Sequence, residues 1–297
     1  MPGTLFVVST PIGNLGDLST RGVEVLRAVR VIACEDTRVT GKLLKRFHIE
    51  TPLTSYHEHN EAKKAVELLE RLERGEDVAL VSDAGTPLVS DPGYRLVKAA
   101  RGAGIEIRAV PGPSAVLAAL AVSGLPPSPF TFLGFLPPKG SARRAALASL
   151  ASLDHTFVLF EAGTRIGKLL GELRDLLGPR PAALMREMTK LHEEHRAGNL
   201  EEISRWAEGR SFRGELTLVV SGAPVRGRPE AEDDPVSRWG PRFRELRDQG
   251  LTPREAAKAV ARESGLPARV VYREMVVAPR DSREGPSRFD RDERPKL

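Results

Sequence analysis

Residues 79–93 read ALVSDAGTPLVSDPG. An apolar, β-forming run gives way abruptly to two aspartates, two glycines and two prolines. That composition suits neither a helix nor a strand interior, so the segment specifies a backbone shape. Residues 78–82 predict a buried strand, after which the chain must reverse over a ligand or over another loop. Gly85 admits a close backbone approach that a Cβ would prevent. Asp83 and Asp91 are acceptors for ligand hydroxyls or loop N–H groups, or they serve only their own turn.

The same pattern recurs on both sides of this stretch. Strands are predicted at residues 5–9, 31–35, 78–82 and 106–110, with helices at 20–29, 37–47, 61–74, 92–102 and 113–123. Alternating strands and helices predict a largely parallel sheet, because parallel neighbours need crossover helices. Proline and glycine crowd the ends of these strands, in Thr10-Pro11-Ile12-Gly13, Ala84-Gly85-Thr86-Pro87 and Pro111-Gly112-Pro113-Ser114. In open α/β sheets the carboxyl edge of the strands is where ligands bind. The first loop is neither a Walker phosphate loop nor a dinucleotide fingerprint.

A break at Leu125-Pro126-Pro127 opens a second α/β unit. Its strands are expected at 130–135, 156–160, 182–186 and 215–220, with mixed directions, and its helices at 141–152, 164–177 and 200–208. Residues 224–236 read as a linker and 237–277 as a helical module, with helices at 238–249, 253–264 and 267–276. Thr252 is placed to cap the middle one, followed by Pro253 and Glu255. The last residues, 278–297, mix charge and proline without period and read as disordered. The expected fold class is therefore α/β: two α/β domains, at 1–124 and 125–223, with a small C-terminal helical module.

The totals narrow the function classes. The 297 residues are 40% hydrophobic and 29% charged, with a formal net charge of +5, which suits a globular protein with a polyanionic partner. The single cysteine, Cys34, excludes an intrachain disulfide and a cysteine-rich zinc site. The N-terminal residues lack a signal-peptide pattern, and no apolar run reaches the roughly 20 residues of a membrane span. A cytoplasmic protein with no membrane partner is expected.

Several polar clusters stand near these strand ends. Glu35-Asp36-Thr37-Arg38 follows the second strand, and is read either as a substrate-positioning cluster or as an acidic helix start. His57-Glu58-His59 lacks partners at ligand spacing, so no metal is expected. Lys139, Arg143 and Arg144 surround Ser141, a candidate helix cap and phosphate site, or a solvated basic linker. Arg186-Glu187 reads as a buried pair or as an RNA-facing edge.

Together, the segments STPIGNLGDLSTRG, ACEDTRVTG, HEHNE, ALVSDAGTPLVSDPGYRLV, VPGPSA, GFLPPKG, REMTK and RGELTLVVSG resemble the tetrapyrrole-methylase superfamily. They run in the family's order from residue 4 to about 222. The loop Thr10-Pro11-Ile12-Gly13-Asn14-Leu15 replaces the superfamily's glycine-rich first loop, which points to its branch that methylates small-subunit ribosomal RNA. The segment LTPREAAKAVARESGLPARVVYREMV is similar to that branch's helix-turn-helix-like module.

The resemblance implies a homodimer that binds S-adenosylmethionine in a cleft between two α/β domains. It implies 2′-O-methylation of a cytidine ribose in the decoding region of 16S rRNA, within the assembled small subunit. Pro11, Ser82, Asp83, Ala84, Gly85, Thr86, Pro87, Pro111, Ser114, Ala115, Glu161 and Ala162 would line the cofactor site. A base for the ribose hydroxyl would come from Glu35, Asp36 or Glu187, with Arg38 or Lys190 orienting the ribose or a phosphate. RNA phosphates would meet Lys139, Arg143 and Arg144, with Arg238, Arg242, Arg244 and Arg254 of the helical module. Two other readings stay open: a sister enzyme acting on a small tetrapyrrole, and a non-catalytic ribosome-assembly factor.

Overall fold

The computed structural model describes residues 1–223 and 235–277. They fall into two compact units that divide at Ala223 and Pro224. The first begins with a five-stranded sheet of β1 (Thr4–Val8), β2 (Val31–Cys34), β3 (Leu53–Ser55), β4 (Val78–Val81) and β5 (Glu106–Val110). Its order is β3-β2-β4-β1-β5, with every neighbouring pair parallel. The crossovers are α1 (Thr20–Ala28), α2 (Thr37–Arg46), α3 (Glu61–Glu73) and α4 (Tyr94–Gly102).

These helices cover both faces of the sheet, which explains why β2 and β4 are apolar without interruption: every residue of VIAC and VALV is buried. The strand period of two divides them. Val78 and Leu80 join Leu5, Leu68, Leu72 and Leu96 on one face, while Ala79 and Val81 join Val8, Leu26, Ile32 and Leu44 on the other. Cys34 belongs to the second of these cores, and its burial pushes the thiol up to about 11.

The helix α5 (Ala115–Val122) leads from this sheet to a second one. That sheet contains β6 (Phe130–Phe135), β7 (Thr156–Ala162), β8 (Pro181–Arg186), β9 (Glu194–Asn199) and β10 (Glu215–Val220), in the order β6-β7-β10-β8-β9. Only the β6/β7 pair is parallel, so the expected mixture of directions is present. On one face lie α6 (Gly140–Leu150), α7 (Ile166–Leu177) and α8 (Leu200–Ala207), enclosing a core that includes Phe157, Leu159, Leu169, Leu184 and Leu218. The other face receives α5: Val116, Ala119 and Leu120 pack on Val158, Ala183 and Val219. A helix that ends one sheet therefore forms the floor of the next, and this joint holds the two halves together.

Two strands escape the sequence pattern. Three-residue β3 is too short to show a period, and it forms only because β2 offers an open edge. β9, EHRAGN, is polar because it is itself an edge, where charged side chains guard against pairing with other chains.

In the second unit, α9 (Pro235–Asp248), α10 (Pro253–Ser264) and α11 (Ala268–Val277) surround Phe243, Leu246, Ala257, Val260 and Val271. Thr252 caps α10 as expected and forms a reciprocal box with Glu255. The expected linker falls outside the described residues up to 234, with 235 and 236 opening α9; the expected tail, 278–297, lies outside them altogether. No helix of the described residues is long and apolar enough to cross a membrane.

Between β7 and α7, Gly163 donates its N–H to the carbonyl of Gly214 at 2.8 Å, and a methyl group on it would overlap the Phe212 carbonyl. Gly163→Ala is expected to destabilise the first unit by roughly 1–3 kcal/mol. Gly167→Ala, on α7 with open space around it, is expected to be neutral or to stabilise by roughly 0.5–1 kcal/mol. Thermal melting of the two variants measures the contrast.

Candidate active site

The strands β2, β4, β1 and β5 are consecutive in the first sheet, so the loops leaving their carboxyl ends stand side by side. Three are stitched together. Thr10 and Gly85 exchange backbone hydrogen bonds at 2.8 and 3.1 Å, an isolated bridge between the first loop and the 82–93 loop. Thr10 also donates its hydroxyl to the Ser82 carbonyl at 3.0 Å, and Thr86 donates to the Pro113 carbonyl at 3.1 Å. Ser9 and Thr86 hydroxyls meet at 3.1 Å. The unusual composition of residues 79–93 is thereby explained. Its Thr86 hydroxyl holds the loops after β1 and β5, its Ser82 hydroxyl ties the loop to itself, and Gly85 takes φ +86°, a left-handed conformation in which a side chain is strained.

These loops form one side of a cavity of about 480 Å³, and the inner face of the second sheet forms the other. Apolar lining comes from Ile12, Val89, Val116, Phe160, Met185 and Met188. The charged lining is mostly acidic: Glu35 and Asp83 at the ends of β2 and β4, Asp91 before α4, Glu215 at the start of β10, and Glu187. Among the described residues, the cations in the wall, Lys190 and Arg186, are already engaged. Lys190 bonds Glu187 at 3.1 Å and Arg186 bonds Glu194 at 2.9 Å.

Burial and mutual repulsion act on the acids. Glu35 is raised above the ordinary carboxylate range, by burial first and then by Asp83. Asp83 is also raised by burial, opposed by the Asp36 N–H that it accepts at 3.1 Å. Asp91 is pushed up to about 7, chiefly by burial and then by Glu35. Asp36 behaves oppositely. It caps α2, is gripped by the Arg38 guanidinium, and is held down to about 2.

The structure brings together Glu35, Glu187 and Lys190 with Asp83, Ala84, Gly85, Thr86, Ser114 and Ala115 on the cavity wall. Ser114 also caps α5. Several expected residues stand elsewhere. Asp36 and exposed Arg38 form a helix-start pair off the cavity. Pro11 and Pro87 are buried within their loops, Ser82 is buried and donates to the Gly85 carbonyl, and Pro111 is exposed. None of these four lines the cavity.

Glu161 and Ala162 do not line it either. Phe160 faces the cavity, so its neighbour Glu161 points through the sheet to the opposite face, where it is wholly buried beside Arg165 and Arg143. Arg143 is the clearest correction. Only 4% exposed, it is forked onto Glu172 and donates to the Pro137 carbonyl, so it presents no free guanidinium to a phosphate. Lys139 and Arg144 are exposed. The cap expected of Ser141 is absent, since α6 starts at Gly140 after Lys139, which makes no side-chain cap.

In the helical unit, Arg242 is tied to Glu245 and Glu263, while Arg244 and Arg254 are exposed. The side chain of Arg238 lies outside the described set. Arg186 pairs across strands with Glu194 rather than with adjacent Glu187. Sequence reasoning missed the weight of Asp91 and Glu215, whose position on the wall follows only from the loop's reversal and the second sheet's placement.

A carboxylate whose folded value lies near 7 weakens the fold as pH rises from about 4 to 7, because the unfolded chain releases that proton earlier. In the ligand-free protein, Asp91→Asn is expected to raise the melting temperature at pH 8 and to do so much less at pH 5. Melting curves at the two values check the sign.

Comparison with known proteins places these features. The profile of the family described as Tetrapyrrole (Corrin/Porphyrin) Methylases matches residues 4–204. A protein of Micromonospora olivasterospora named Ribosomal RNA small subunit methyltransferase I is 46% identical over 286 residues, covering 96% of this chain and 89% of that protein. A Synechocystis protein of the same name is 44% identical over 271 residues, covering 91% and 96%. Among solved structures, a diphthine synthase aligns with TM-score 0.58 and 18% identity, over 74% of this chain and 90% of its own. A Thermus thermophilus uroporphyrin-III-C-methyltransferase aligns with TM-score 0.54 and 24% identity, over 74% and 94%. These two likenesses are of fold.

Proposed function

Because the chain belongs to the tetrapyrrole methylase family, we propose that it is an S-adenosylmethionine-dependent methyltransferase of small-subunit ribosomal RNA. Its acceptor is a cytidine ribose 2′-hydroxyl in the decoding region. The carrying observation is the cavity's chemistry: apolar surface for a nucleoside, and a carboxylate wall with no uncommitted cation. A polyphosphate cofactor would meet like charge there, whereas a sulfonium nucleoside meets opposite charge. About 480 Å³ lies within the usual range for such ligands.

When bound, S-adenosylmethionine supplies a methyl group on positive sulfur, whose transfer leaves a neutral thioether. The protein's part is to place the acceptor oxygen in line and to receive its proton. Glu35 is the better acceptor, since it sits on the cavity wall with its proton affinity raised by burial. Asp36, held low by Arg38 and off the wall, serves the helix instead. The Glu187–Lys190 pair stands across the cavity in a loop where Glu187 and Thr189 take φ +51° and +67°. It positions the ribose or the adjoining phosphate. Asp83, Ala84, Gly85, Thr86, Ser114 and Ala115 form the donor's side of the site.

RNA binding draws on exposed Lys139 and Arg144 and on Arg244 and Arg254 of the helical unit. The enzyme acts on the assembled subunit, in the cytoplasm, as a homodimer. The outer side of α5, with Leu117 57% and Val122 54% exposed, is an apolar face suited to a second copy.

Purified protein given donor with labelled methyl is expected to label assembled small subunits, with the label on one cytidine ribose by methylation mapping. Labelling of a tetrapyrrole without RNA, or RNA binding without donor affinity, would overturn the reading in favour of one of its two rivals. In single-turnover assays, Glu35→Gln is expected to slow transfer by roughly 10²–10⁴-fold, and Asp36→Asn to leave it within a few-fold. A Glu35→Gln rate within a few-fold of wild type removes Glu35 as the base.

A further inference from the structure

The acids of the cavity are unevenly matched. Glu187 has Lys190, but among the described residues no lysine or arginine forms an ion pair with Glu35, Asp83, Asp91 or Glu215. They approach from different elements: the ends of β2 and β4, the turn before α4 and the start of β10. Among the described residues, the only hydrogen bond to the Asp83 side chain comes from the Asp36 N–H, and Asp36 brings a further negative charge. Carboxylates without a cationic partner around one cavity oppose one another's ionisation, and burial raises Glu35, Asp83 and Asp91 alike.

Resting on the reading of this cavity as the donor site, we propose that Glu35, Asp83 and Asp91 sense the charge on the bound sulfur. The cluster releases a proton to solvent when the cationic donor binds and retains it when the neutral product S-adenosylhomocysteine binds. Donor and product share the amino acid and the nucleoside and differ by a methyl group and one positive charge. A cluster that ionises only when that charge is present therefore favours the donor, and does so more strongly as pH rises. Methyl transfer removes the charge, the cluster takes a proton back, and the product's grip is weakened at the moment it forms.

Asp91 is the most affected member: burial and then Glu35 oppose its ionisation, a Ser82 hydrogen bond favours it, and Asp83 and Glu215 add further opposition. The groups around the cluster fix what else could titrate. On the second sheet these are Glu215, and Arg186, Glu187 and Lys190 in their pairs. On the first they are Asp36 with Arg38, the Glu61–Arg95 pair between α3 and α4, and His57 after β3, which acts on Glu35. His57 is the imidazole among these groups. Its ring contacts Asn60 through Nε2 at 3.2 Å, and its buried Nδ1 has no partner.

Calorimetry of the full-length protein with S-adenosylmethionine and S-adenosylhomocysteine, in buffers of different ionisation enthalpy from pH 5.5 to 8, tests this. Donor binding is expected to release up to about one proton, with affinity rising by up to about tenfold per pH unit below pH 7. Product binding is expected to release far less. Asp91→Asn is expected to flatten the donor's pH dependence and shrink donor-over-product preference at pH 8, with product affinity within a few-fold of wild type showing that the site is intact. Equal pH dependence for donor and product, or a wild-type slope in Asp91→Asn, overturns the proposal. So does loss of the linkage in His57→Gln with its retention in Asp91→Asn. If wild type binds neither compound, the donor-site reading itself fails.

Discussion

Everything at the site depends on one packing contact, the seating of α5 on the inner face of the second sheet. Val116, Ala119 and Leu120 pack on Val158, Ala183 and Val219, and Ala119 is fully buried. Because α5 begins at the carboxyl edge of β5, fixing it against the second sheet also fixes where the loops of the first sheet stand. The Thr10–Gly85 bridge then carries that position to the neighbouring loops. The cavity is the space left between two sheets that share a helix, which is why its walls come from segments as distant as Ile12 and Thr217.

Electrostatics divides the molecule in an unusual way. The chain carries a formal +5, yet its cavity wall is rich in carboxylates. A net positive charge favours approach to a polyanion, while carboxylates on the cavity wall favour a small cation. The same molecule can thus attract a large anionic partner and a small cationic one without the two competing for one surface.

Much of this was legible in the sequence. Uninterrupted apolar runs such as VIAC and VALV could only be strands covered on both faces, and the loops rich in proline and glycine marked the carboxyl edge of the sheet. Other features depended on neighbours that local sequence does not name. Glu161 is one residue from Phe160, but alternation along a strand sends the two side chains to opposite faces, and only the sheet's orientation decides which one meets the cavity. Arg143 sits in a basic stretch that reads as surface, but α6 turns it toward Glu172, 29 positions later, and a buried fork replaces a phosphate contact. Asp91 shows only as the second aspartate of a turn. What it does to the cavity follows from burial and from Glu35 and Glu215, which arrive from other strands.

The seclusion of Cys34 has a practical side. This sole cysteine is fully buried in the sheet core, and its thiol stays protonated far above neutral pH. Since the thiolate is the nucleophile, maleimides and similar reagents will pass it by while the fold is intact. A cysteine introduced at an exposed position on the helical unit would then be the single reactive handle for a fluorophore or a spin label, with no need to engineer the native sulfur away.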